Sequence, residues 1–69
     1  MSQSYRIDRG EGVVAEPLRD IAERYPDLSI GSYPFQKGGA YGTNIVIRGF
    51  DGAQIDAAML ELATLFPRD

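Results

Sequence analysis

"YPDLSIGSYPFQKGGAYGTNIVIRGFDG", residues 25–52 of a 69-residue chain, carries most of its glycines and aromatics. Leu28 to Tyr33 reads as one strand and Tyr41 to Arg48 as another. The run Ile45-Val46-Ile47, with Thr43 just before it, is the clearest β signal in the chain. Pro34, Gly38 and Gly39 lie between the two runs, which makes them an antiparallel hairpin. The connection "PFQKGGA" reads as longer than a two-residue turn, with a mobile tip.

Beyond the hairpin, Asp51 is placed to cap a helix, and Gln54 three residues later completes a capping-box-like pattern. Ile55, Ala58, Met59, Leu62, Leu65 and Phe66 then follow at helical spacing and draw one apolar stripe, which Pro67 closes. Before the hairpin, Val14, Leu18, Ile21, Ala22 and Tyr25 draw a second stripe, ended by Pro26. Proline is well tolerated only in the first helical turn, so Pro17 predicts a start near Val14 or Ala15. Ahead of "RGEG", the segment Tyr5 to Asp8 alternates apolar and polar as a half-buried strand does.

The order is therefore β-α-β-β-α in a single domain, residues 1–69. Two singly striped helices bury their stripes most economically on one face of a three-stranded sheet. The predicted class is α+β, with a mixed sheet and two helices on one face, KH-like or split ferredoxin-like. Strand 1 reaches strand 2 through a helical crossover, right-handed if the two run parallel. If Ile7, Leu28, Ile30, Ile45 and Ile47 face the helices, then Arg6, Asp8, Ser29, Gly31, Tyr33, Val46 and Arg48 face away. That open face is either a docking surface or simply solvated.

Composition excludes several chemistries. With neither cysteine nor histidine, the chain cannot form a disulfide, a thiolate nucleophile, a Ser-His-Asp triad or a usual structural zinc site. A net charge of −3 counts against nucleic acid, whose binding rests largely on phosphate neutralisation. No apolar run approaches the roughly 20 residues that span a bilayer, and "MSQSYRIDRG" lacks a signal-peptide core. The expected setting is soluble and cytoplasmic.

The candidate motifs are weak. "RGEG" before a helix has the look of an anion loop, but Asp8 and Glu11 flank it and would repel phosphate, so it reads as a strand-to-helix turn. "KGGAY", Lys37 to Tyr41, echoes an RNA-recognition signature, but Gly39 and Asn44 stand where stacking aromatics are required. Glu16, Asp20 and Glu23 lie among arginines on the outer side of the first helix and stay solvated. No catalytic or metal-ligating residue emerges, and the segment is read as non-enzymatic.

Tyr25-Pro26, Ile30-Gly31-Ser32-Tyr33-Pro34 and Arg48-Gly49 before Asp51 resemble the C-terminal small domain of CinA-like proteins (competence/damage-inducible protein A). Those proteins carry a molybdopterin-binding, MoaB/MogA-like domain related to the companion domain of eukaryotic FAD synthases. The resemblance covers about residues 11–66 and implies a C-terminal fragment of a longer protein, possessing no cofactor of its own. It implies a non-catalytic accessory module beside a domain that takes molybdopterin or a nucleotide, with nucleotide pyrophosphatase as an alternative parental activity. Its partner would be that upstream α/β domain or another subunit, docked on Gly31, Ser32, Tyr33, Pro34 and Arg48. Gly31 would admit a close neighbour, and Tyr33–Pro34 is a place to look for a cis bond. An independent KH-like or RNA-recognition-like nucleic-acid module is the alternative.

Overall fold

The computed structural model describes residues 1–67. Its elements are β1 (Ser2–Ile7), α1 (Glu11–Arg24), β2 (Ser29–Lys37), β3 (Ala40–Arg48) and α2 (Gly52–Leu65). The β-α-β-β-α order and the α+β class are as the residue pattern predicts. The sheet order is β1-β3-β2, and both pairings are antiparallel, so the expected mixed sheet is corrected. β1 and β2 run the same way but share no hydrogen-bonded pairing, because β3 fills the lane between them. This is a split β-α-β arrangement.

The hairpin is tighter than its composition suggests. Lys37 faces Ala40, and Gly38 and Gly39 alone make the turn, with φ of 58° and 84°. Two successive left-handed residues suit the right-handed twist of paired strands, and glycine reaches that region without strain. Strand β2 therefore runs on through Pro34, Phe35 and Gln36 instead of ending at Tyr33.

Pro34 is compatible with this because β2 is an edge strand. A two-residue turn makes Lys37–Ala40 a hydrogen-bonded pair, so every second pair back along the strands is also hydrogen-bonded. The register Phe35–Gly42 and Tyr33–Asn44 then leaves position 34 with its backbone donor directed outward. The missing N–H costs no sheet bond. The Tyr33–Pro34 bond is trans, as are all peptide bonds among the described residues.

Helix α1 begins at Glu11, earlier than Pro17 suggested, and the proline lies inside it. Pro17 cannot donate to the Val13 carbonyl, but Val13 is exposed, so water can satisfy that group. Complete burial of Val14 and Ile21, with Leu18 beside them, holds the helix across the defect. At α2, the Asp51 side chain accepts from the Ala53 N–H at 3.0 Å, as a cap should. Gln54 adds no reciprocal bond.

The core lies between the sheet and both helices: Tyr5, Ile7, Ile45 and Ile47 from the strands, Val14, Leu18 and Ile21 from α1, Ile55, Ala58 and Leu62 from α2. Leu65, counted in the α2 stripe above, is half exposed. Thr43 is fully buried, and its hydroxyl donates to the Arg9 carbonyl at 3.0 Å, fastening the β1–α1 turn to β3. A polar clamp joins the helices. Arg24 pairs with Glu61, and the Tyr25 hydroxyl donates to the same carboxylate. The Tyr25 hydroxyl, then Arg24, hold the Glu61 carboxyl below its ordinary range. The same bond raises Tyr25, and Glu61 likewise raises Arg24.

Candidate docking surface

Both helices pack on one side, which leaves the other side of the sheet uncovered. Alternation and register place Ser4 and Arg6 of β1, Gly42, Asn44, Val46 and Arg48 of β3, and Gly31, Tyr33, Phe35 and Lys37 of β2 on this open face. At one end the Arg6 guanidinium lies 4.8 Å from the centroid of the Phe35 ring. Arg6 Nε also donates to Asp8 at 2.9 Å, which fixes the guanidinium between the ring and a carboxylate. Such a stack is attracted through the negative face of the aromatic ring.

The glycines of β3 and β2 make room for these aromatics. A side-chain carbon on Gly42 would lie 2.8 Å from the Phe35 ring and 2.5 Å from the Ile7 carbonyl oxygen, so the ring and β1 both close over bare backbone. Tyr33 leans over Gly31 in the same way, 3.1 Å from where a side-chain carbon would sit. The close neighbour expected at Gly31 is thus Tyr33 itself. Tyr33 stays about half exposed.

The five residues singled out from the sequence do not share one surface. Gly31, Tyr33 and Arg48 are on the open face. Ser32 and Pro34 point to the helix side, where the Ser32 hydroxyl donates to Glu11 at 3.3 Å. Arg48 is not beside Tyr33. It pairs with Ser29, whereas Tyr33 pairs with Asn44, and four residues of strand separate the two by about 13 Å. Arg48 instead borders a shallow depression of about 410 Å³ with Met1, Asp27, Ser29 and Phe50.

Phe35 and Phe50 were missed. Placing Phe35 in a long loop hid it; the Gly38-Gly39 pair, read as a two-residue turn, would have extended β2 and set Phe35 against Gly42. Phe50, fully exposed between β3 and the Asp51 cap, carries no periodic signal at all. Among the described residues no group of three or more acidic side chains gathers in a way that could hold a metal ion, and no helix is long and apolar enough to cross a membrane.

The family model described as "FAD synthase, middle domain" matches residues 1–69, and the chain belongs to that family. Searches of curated proteins and of solved structures return no match. The match overturns the resemblance to the CinA-like C-terminal domain, and with it the molybdopterin-binding function and the molybdopterin cofactor of the parent implied above; a nucleotide in the parent stays compatible with it. It lends nothing to the nucleic-acid alternative. The residues that suggested CinA are largely ones this fold demands. Pro34 suits an edge position, and a side-chain carbon on Gly49 would lie 2.5 Å from Leu28 Cδ2. Residues so dictated distinguish folds better than families.

Proposed function

We propose that this FAD synthase middle domain is a non-catalytic docking module whose uncovered sheet face binds another domain of the same polypeptide. The FAD synthesis that the family description names would then belong to the neighbouring domains, in a cytoplasmic protein longer than this segment. The observation that carries the reading is the Arg6–Phe35 stack beside half-exposed Tyr33, on the face that neither helix covers. Arginine and aromatic side chains are the groups most enriched at the energetic centres of protein interfaces.

Charge supports the same face. Arg6, Lys37 and Arg48 lie on its strands, while Glu16, Asp20, Glu23 and Asp56 lie on the helices of an acidic chain. The partner surface should therefore carry carboxylates opposite the sheet. Titrating the isolated neighbouring domain of an FAD synthase into this domain by calorimetry tests the proposal. Binding that weakens at least tenfold in Tyr33→Ala or Arg6→Ala, and with added salt, supports it. Affinity unchanged in both variants rejects it.

A further inference from the structure

We propose that β1 is a pairing edge through which two copies of this chain join their sheets into one six-stranded sheet. The inference is independent of the open-face docking reading.

The two edges of the sheet are built differently. Met1 and Gly49 exchange both backbone bonds, at 3.1 and 3.0 Å, so they form a hydrogen-bonded antiparallel pair. Alternation makes Gln3–Ile47, Tyr5–Ile45 and Ile7–Thr43 the next such pairs. The backbone donors and acceptors of Ser2, Ser4 and Arg6 therefore point away from β3, with no strand to receive them. On the opposite edge, Pro34 occupies an outward-facing position and removes a donor, a common protection against strand addition. β1 has no proline, no glycine and no charge directed into the core.

The geometry of β1 fits its own copy. Three outward residues, centred on Ser4, allow a twofold antiparallel register of Ser4 against Ser4, with Ser2 opposite Arg6 of the other copy twice. All three pairs can exchange bonds reciprocally, and the two Arg6 guanidinium groups never face each other. An isologous contact requires this self-complementarity.

Helix α2 supplies a second matching surface. Gln3 Nε2 donates to Asp56 at 2.7 Å and the Tyr5 hydroxyl donates to the Phe66 carbonyl at 2.5 Å, so α2 runs along β1 in the same direction. Asp56, Met59, Leu60 and Ala63 share one flank at helical spacing, which sets Met59, Leu60 and Ala63 level with Ser4. Met59 and Ala63 pack against the core from this flank, and Leu60 next to them is 70% exposed. A twofold axis through Ser4 brings this apolar flank against its copy.

Sedimentation equilibrium of the chain from micromolar to millimolar concentration, with amide exchange by NMR, decides the matter. The expected result is a species of twice the 7.6 kDa chain mass, with slowed exchange at the Ser4 and Arg6 amides. Ser4→Pro removes an outward donor and no bond to β3, and should yield a folded monomer. Leu60→Glu, which leaves the strand intact, should weaken dimerisation at least tenfold and serves if Ser4→Pro does not fold. A wild-type monomer throughout, or a dimer that Leu60→Glu or folded Ser4→Pro leaves unchanged, overturns the proposal.

Discussion

The Arg6 guanidinium stacks 4.8 Å from the Phe35 ring centroid, reaching from β1 to β2 across the bare backbone of Gly42 on β3. The two outer strands thus touch over the central one on the face without helices. The contact is solvent-accessible, so its coupling should be about 0.5–1 kcal/mol. A double-mutant cycle of Arg6→Ala and Phe35→Ala in urea measures it, and additive effects would show that the stack contributes nothing.

Gly42 permits that crossing. Gly42→Ala should push β1 and the Phe35 ring away from β3, at a cost of about 1–3 kcal/mol as in other overpacked sites. The denaturation midpoint reads the cost. A midpoint equal to wild type would mean that β1 shifts freely.

Asp51 caps α2 through the Ala53 N–H. Asp51→Ala should lower stability by about 1 kcal/mol, the usual loss for an N-cap. Asp51→Asn retains an acceptor and should retain most of the stability.

Glu61 links stability to pH. Its carboxyl is held below the ordinary 4.5 by Tyr25 and Arg24. A folded value below the unfolded one stabilises fully above the unfolded value and is lost as pH falls through the folded one. Wild-type stability should therefore decline below about pH 4.5, and Glu61→Gln should flatten that part of the curve while lowering the plateau at neutral pH. A wild-type slope retained in Glu61→Gln would assign the acid sensitivity to other carboxylates.

Much of this architecture can be read from hydrophobic spacing alone. Val14, Leu18 and Ile21 mark α1, Ile55, Ala58 and Leu62 mark α2, and alternation through Ile45 and Ile47 marks the central strand, because burial imposes those periods directly. Strand order is harder to read, since nothing within β1 says whether it pairs with β2 or β3. The start of α1 lies earlier than Pro17 predicts because burial of Val14 and Ile21 outweighs the one bond lost at the proline. The candidate surface was half legible. Tyr33 and Arg48 follow from alternation, but their separation and the Arg6–Phe35 contact depend on the register that the Gly38-Gly39 turn sets. Family membership lay beyond residue patterns that any sheet of this kind would favour.

The most direct test of the open-face account is amide shift mapping of the labelled domain while the neighbouring FAD synthase domain is added. The account predicts changes concentrated at Arg6, Gly31, Tyr33, Phe35, Asn44 and Val46, with the outer sides of α1 and α2 unmoved. Changes confined to the helices, with the sheet face silent at saturation, would contradict it.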